Sequence, residues 1–551
     1  RYITSLSVLD TEYRYAQTTE TKKKSFGRKK TTVKTWIEDN EYANGTQMTA
    51  GRHILMNYVG TGTDDAQVEQ IKNQGIFLQG ADLLAQGEIV GMSDGNIYTQ
   101  GTRDKLGSFY EEKTSKSILG FSYSKSRDTV DSSQERYKLT QMYAGAGISY
   151  DSEGKLIVEG ADIQTAGNLY LRGKQGVYLL PGTEDGYRRE EHVKEGLTAN
   201  FDVGRASVSA GVGYEKNKDT LTEVTTNIVN NQIQVGGNYY AKSEEGDYTH
   251  IATNLLVDGD MKIDAKNINI LDAQAYRKIH QTSERTYVGV GVTVGVPIVE
   301  SAYQIKDSYE ALEGAKGTEG YINGGFQGLN TYFGAVSALA NPIGVSGSIT
   351  ASYSKSEYSR EESVSVGSNI IAKGSTEFNA ENLHIRGSNL QVEENLTYNI
   401  TNDIVIEAGK STLKEDGKSV GYGVSIGKGM LGENGIVNPF KDNNMTVTPS
   451  ISQQKSTTTG EFYNNSQVYA AGNTHYNVGG DLTVKGGNVE TGTISGKIAG
   501  NVTIESVQDK VDSKSQGFSA SYGIGLGEHA VKQGNKTGVK DGIYTSSIGL
   551  G

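Results

Sequence analysis

The stretch ENLHIRGSNLQVEENLTYNITNDIVIEAG, residues 381–409, decides the fold. It carries four apolar triplets, beginning at Leu383, Leu390, Leu396 and Ile404, separated by Gly, Ser, Asn, Asp and Glu. In each triplet the first and third residues are apolar, the alternation of a short strand with one buried face. The Gly, Asn and Asp between them accept the left-handed backbone that tight corners need. The triplet at 383 and the one at 404 lie 21 residues apart, and the same step separates Leu156-Ile157-Val158 from Val177-Tyr178-Leu179. Leu482-Thr483-Val484 and Val502-Thr503-Ile504 lie 20 apart. One such turn of chain cannot enclose a core, but stacked turns share one. The spacing predicts an all-β chain, a parallel β-helix with coils of about 20 residues, right-handed by the crossover rule. Asn and apolar residues at equivalent positions are expected to stack as ladders along it.

A second texture alternates with the first. In TYVGVGVTVGVPI, residues 286–298, Val288, Val290, Val292, Val294 and Val296 fall on one face and Gly or Thr on the other. Residues 518–527 repeat this with Phe518, Ala520, Tyr522, Ile524 and Leu526, and residues 421–429 with Tyr422, Val424 and Ile426. Period-two alternation with a nearly bare face predicts antiparallel hairpin strands. The pentapeptide SYSKS occurs at 122–126 and at 352–356, each time after such a strand and before a charged Ser/Thr-rich run, as expected of a repeating hairpin. The textures place hairpins at 10–46, 109–150, 184–225, 275–366, 409–461 and from 507, with coils between. As units these are N-terminal solenoid modules (1–274), a long hairpin insertion (275–366) and C-terminal modules (367–551), a continuous array rather than separate globular domains.

Composition agrees. The 551 residues include 71 Gly, 33 Tyr, 5 Pro and no Cys, with a net charge of −12. Abundant Tyr and β-branched residues argue against disorder. The acidic balance disfavours nucleic acid as a partner, and the lack of Cys excludes disulfides and thiolate metal sites. No run of 18 or more strongly apolar residues predicts a membrane-spanning helix. A chain opening at Arg1 and closing on GIYTSSIGLG reads as an internal piece of a longer polypeptide.

The combination resembles the haemagglutinin repeats of filamentous-haemagglutinin-like exoproteins. The residues that carry this are the basic hairpin and coil at 21–56, with Gly45-Thr46-Gln47-Met48-Thr49-Ala50-Gly51, and the segment 352–390, with Gly367-Ser368-Asn369-Ile370-Ile371-Ala372-Lys373-Gly374. Residues 463–484 follow the pattern more loosely, and 184–254 depart most. The resemblance implies two-partner secretion through an outer-membrane transporter and a place on the surface of a Gram-negative bacterium. It further implies contact with a target-cell receptor or outer membrane. It offers two roles. One is delivery of a C-terminal toxin, as in contact-dependent inhibition effectors of the CdiA type; the other is a filamentous adhesin stalk.

No residue pattern calls for catalysis or a cofactor. GVGVTVG (289–295) and GYGVSIG (421–427) lie inside strands with no helix to follow, which fails the dinucleotide-binding context. His53, His192, His250, His280, His384, His475 and His529 are scattered and read as surface residues rather than a metal set. Asp64-Asp65 and Asp258-Gly259-Asp260 are weighed as calcium turns and read as backbone corners. A β-helix polysaccharide enzyme would need a ladder of acids beside Arg and Lys, and the sequence shows none. Two stretches are candidate membrane or partner contacts. Lys22, Lys23, Lys24, Arg28, Lys29 and Lys30 form a basic hairpin tip, the alternative being a solvated guard on a sheet edge. Residues 300–343 read as a short helical insertion that includes much of an uncharged run from 320 to 354, with Leu329, Phe333, Val336 and Leu339 on one side. That insertion is read as a cap on the solenoid or as a membrane-active segment.

Overall fold

A computed structural model describes residues 3–58, 75–203, 207–295, 344–429, 445–522, 524–533 and 536–545. All regular structure among them is β-strand. The expected helix at 300–343, with Leu329, Phe333, Val336 and Leu339, lies outside the described residues, as do Val296 and Asp64-Asp65.

The stretch at 381–409 folds as its triplets dictate. Asn382–Arg386, Asn389–Val392, Leu396–Ile400 and Ile404–Glu407 are consecutive short strands, with the first and third residues of each triplet buried. Each pairs in parallel with its equivalent one coil away, for example Leu383 with Ile404 and Asn369 with Asn389. Strands of this kind build an eleven-stranded parallel sheet and an eighteen-stranded one. The result is a parallel β-helix with three short strands in most coils.

Two inward ladders run through the eleven-stranded sheet. One reads Ile76, Ile97, Leu156, Val177, Tyr248, Ile268, Leu383, Ile404, Leu482 and Val502. Nearly all of these residues are shut off from solvent, and one core cluster extends from Ile54 to Val484. Burying each aliphatic side chain is worth about 1.5–3 kcal/mol, so stability is distributed along the axis.

Corners are held by ladders of polar side chains. The Asn168 side-chain oxygen accepts the Asn238 N–H at 2.8 Å, Asn238 accepts that of Asp260 at 2.9 Å, and Asp260 that of Ser375 at 2.8 Å. Asp258 pairs with Lys373 at 2.7 Å. The Asp258-Gly259-Asp260 turn therefore spends its carboxylates on the stack. The Gly of the quoted family motif also has a physical cause. A Cβ on Gly45 or Gly367 would overlap the carbonyl oxygen of Gly80 or Gly387 in the next coil. The Ser beside it continues the stack: Ser388 Oγ accepts the Ser368 N–H at 3.1 Å and Ser466 Oγ accepts that of Ser388 at 3.2 Å.

Five hairpins leave the solenoid at one edge: Val8–Lys24 with Arg28–Asn44, Thr102–Ile118 with Phe121–Lys138, Gly182–Val203 with Ser207–Val229, Ala273–Gly295 with Gly344–Val366, and Gly409–Gly429 with Met445–Asn464. With Lys510–Ser521, Ile524–Gln533 and Lys536–Thr545 they join side by side into a thirteen-stranded antiparallel sheet, the wall. Two coils separate each hairpin from the next. The spacing explains why the wall can be continuous: a hairpin is two strands wide and two coils are two strands high, both at about 4.8 Å per strand. Wall and solenoid therefore advance together.

One expected boundary moves. The hairpin expected at 109–150 spans 102–138, and Thr140–Ala144 and Gly147–Ser152 are solenoid strands. Their alternation resembles hairpin texture, but the residues they bury, Met142, Ile148 and Tyr150, face the shared core. In the divergent stretch after 184 the register is regular, from Gly182 opposite Val229 to Val203 opposite Val208.

Candidate functional site: the free face and tips of the wall

Each long hairpin has two unlike halves. Near the solenoid, cross-strand ion pairs dominate: Arg127 with Glu111 at 2.8 Å, Arg277 with Glu223 at 2.7 Å, Arg285 with Glu215 at 2.7 Å and Lys410 with Glu461 at 2.8 Å. Farther out, residues 197–201, 208–214, 286–292, 347–354, 419–427, 447–454 and 516–522 contain no charged side chain.

The register aligns this uncharged half into rows. Directly opposed residues share a face. One row reads Leu197, Tyr214, Val288, Ala351, Val424 and Pro449. The next reads Ala199, Val212, Val290, Ile349, Ile426 and Val447. Their neighbours on the opposite face are Gly211, Gly213, Gly289, Gly291, Ser348, Thr350, Gly423 and Ser425. The apolar face is open: Val290 is 58% exposed, and Leu197, Phe201, Val212, Ile349 and Tyr422 are exposed too. A contiguous apolar patch of this kind marks an interaction surface.

The first two hairpins are shorter and end at the border of this band. Lys30 lies opposite Lys116, Lys116 opposite Ser124, and Ser124 opposite Gly196, one residue before Leu197. The structure brings the six candidate cations together at the first tip, Lys22 opposite Lys30, Lys23 opposite Lys29 and Lys24 opposite Arg28. All six are exposed. Of these six, Lys22 alone has an ion-pair partner among the described residues, Glu20 at 3.0 Å. The sequence reading missed what lies between and beside them. Phe26, Phe121 and Leu119, at 87%, 80% and 78%, are the most exposed large apolar side chains among the described residues. The two turns touch, the Leu119 N–H donating to the Gly27 carbonyl at 3.1 Å. The available signal was an apolar residue in a turn position that ordinarily holds Gly, Asn or Asp.

Two further readings are corrected. His250 is fully buried, not a surface residue. It occupies a place in the second inward ladder between Leu179 and Ile270. Its Nε2 is 3.2 Å from the Thr253 carbonyl, so Nε2 carries the proton and Nδ1 accepts from the Tyr248 hydroxyl at 3.0 Å. Tyr248 is in turn 2.9 Å from the Tyr239 hydroxyl. Burial depresses the His250 pKa to about 4. The second correction concerns the acid ladder. Asp151, Glu153, Glu244 and Glu245 do gather around Arg172, Lys174 and Lys242 on the solenoid surface. Arg172 hydrogen-bonds Glu153 and Glu244, each at 2.9 Å, and holds Glu153 below the ordinary carboxylate range. A general acid needs the opposite shift, so the cluster is an ion-pair network. No group of three or more metal-ligating side chains occurs among the described residues.

Comparison with known proteins agrees with this architecture. The tRNA nuclease CdiA of Escherichia coli O6:K15:H31 (strain 536 / UPEC) is 24% identical over 452 residues, which is 75% of this chain and 13% of that protein. The 16S rRNA endonuclease CdiA of Enterobacter cloacae subsp. cloacae is 24% identical over 459 residues, 79% of this chain and 13% of that protein. The Deoxyribonuclease CdiA of Yersinia pseudotuberculosis serotype O:3 is 22% identical over 410 residues, 70% of this chain and 36% of that protein. The chain thus spans a minor part of the relatives it matches, and no solved structure matches it. The hemagglutinin repeat is matched at 119–228, 212–325 and 349–522, more than half of the chain, and the chain belongs to that family.

Proposed function

We propose that this segment is a non-catalytic part of a secreted, surface-exposed bacterial exoprotein that engages the envelope of a target bacterium and takes part in delivering a toxin carried elsewhere on the same polypeptide. The observation that carries this reading is the open, uncharged apolar half of the wall, backed by Gly, Ser and Thr. Over Val208–Tyr214 the strand alternates apolar residues with Ser and Gly and carries no charge, roughly 20 Å at about 3.3 Å per residue. That approaches the apolar band of about 25 Å on strands of outer-membrane barrels. The similarity to proteins named for nuclease activity supports a toxin elsewhere in the polypeptide. Export by an outer-membrane transporter and recognition of a target-cell receptor or outer membrane belong to the same reading.

The test places charge on the band. Val290→Asp, Ile349→Asp and Val424→Asp would be introduced together into the full-length exoprotein, with surface display checked on intact cells. The expected result is normal display and normal attachment to target cells, with inhibition of those cells lost. Lost attachment would favour the adhesin role, and unchanged attachment and inhibition would overturn both.

A further inference from the structure

We propose that the paired tips of the first two hairpins bind the phosphate-bearing surface of a lipid bilayer, with Phe26, Leu119 and Phe121 entering the interface and the six cations facing the phosphates. This deepens the delivery reading and rests on it for its setting, while its own evidence is separate. Three observations converge on these two turns.

The first is backbone strain. Phe26 has φ +62° and Leu119 has φ +47°, left-handed values that bulky residues rarely adopt. A turn selected for stability alone would carry Asn or Gly there. The strained positions are occupied by side chains pointed at solvent, where they gain nothing from the fold.

The second is charge held against repulsion. Lys22, Lys23 and Lys24 stand directly opposite Lys30, Lys29 and Arg28. Like charges in opposed positions destabilise a hairpin, and Lys30 also faces Lys116 of the second hairpin. One ion pair, Lys22 with Glu20, relieves this. Such a concentration of positive charge in a chain of net charge −12 attracts a polyanionic surface.

The third is level. Lys22 and Lys30 share the row of Lys116, Ser124 and Gly196, one residue below the apolar row that begins at Leu197, and Lys23, Lys29, Lys24 and Arg28 lie one or two residues farther out, so all six fall within two residues of the inner border of the band. If the band meets acyl chains, the cations lie at headgroup depth. Basic side chains around exposed aromatic and aliphatic residues are the composition of an interfacial anchor.

The experiment uses the whole 551-residue chain and vesicles of phosphatidylglycerol with phosphatidylcholine, or of phosphatidylcholine alone, in a co-sedimentation assay. Two variants are compared: one with Lys22, Lys23, Lys24, Arg28, Lys29 and Lys30 all changed to Gln, the other Phe26→Ser, Leu119→Ser and Phe121→Ser. The parent chain should prefer the anionic vesicles, and binding should weaken as salt rises. The Gln variant should lose at least about 30-fold in apparent affinity, and the Ser variant roughly 10-fold. Trp36 is the single Trp. In a Trp36→Phe background, Phe26→Trp should blue-shift its emission on anionic vesicles. Equal binding of parent and both variants, no preference for the anionic vesicles, or an unshifted Trp would overturn the proposal. So would capture of target cells without vesicle binding, which would indicate a protein partner. Loss of vesicle binding with intact inhibition of target cells would leave this proposal standing and remove the delivery reading.

Discussion

The solenoid and the wall are both sheets of alternating residues, but they use alternation for opposite ends. In the solenoid the apolar face is turned inward, against the other strands of the same coil, and is closed to solvent from Ile54 to Val484. In the outer half of the wall an equally regular apolar face, including Val212, Val290, Ile349 and Tyr422, is turned to solvent. The described strands of both are joined by continuous ladders of backbone pairing, so the wall's form depends on its hydrogen-bonded registers rather than on a core. The contrast teaches that the coils make the fold stable and that the wall carries an unused capacity for burial.

That contrast can be broken most strongly from inside the solenoid. Phe378 is fully buried, its ring 5.9 Å from that of Tyr398. Phe378→Ala should cost about 3–5 kcal/mol, read as a lower urea midpoint and as faster amide exchange in the neighbouring coils. Acid probes the same interior. His250 stays neutral in the folded chain down to about pH 4, whereas its ordinary value is 6.5. The unfolded chain takes up this proton first. The contribution is therefore whole above pH 6.5, falls as pH drops from 6.5 towards 4, and amounts to about 3 kcal/mol when lost. Urea midpoints measured between pH 7 and pH 4 should show that fall in the parent and a shallower one in His250→Gln. Tyr398→Phe should act in the other direction. The Tyr398 hydroxyl is buried with no hydrogen-bond partner, so removing it should raise stability by about 1 kcal/mol. The smallest effect belongs to the wall: Val290→Ala should change stability by less than about 0.5 kcal/mol, because the side chain buries little. A loss there comparable with that of Phe378→Ala would show that the band is already covered.

How much was legible follows from the same distinction. The coil triplets were readable because each lies within a few residues and recurs at 20 or 21 positions. The alternation of Val288, Val290 and Val292 was readable for the same reason. What could not be read was the alignment of Tyr214 with Val288, Ala351 and Val424 into one row, because it depends on registers between strands far apart in the chain. Residues 140–150 read as hairpin because alternation alone does not say which face finds a partner. His250 was placed on the surface because one polar residue in an aliphatic ladder is indistinguishable from a loop residue until its neighbours Leu179 and Ile270 are known. The basic tip was visible as a run of Lys, while Leu119 and Phe121 join it only through the contact between two turns 92 residues apart at Gly27 and Leu119.

The alternation of two coils with one hairpin sets a parity on the molecule. A chain that lost a single coil would leave every later hairpin displaced by one strand width against the wall, about 4.8 Å, with a gap or a collision at the seam. Loss or duplication of two coils together with their hairpin would leave the seam intact. Length in such a protein is therefore inherited in whole modules, and ancestral duplications should be even in coils. The same rule gives a ruler for engineering: a designed repeat of this protein grows by pairs or does not close its outer sheet.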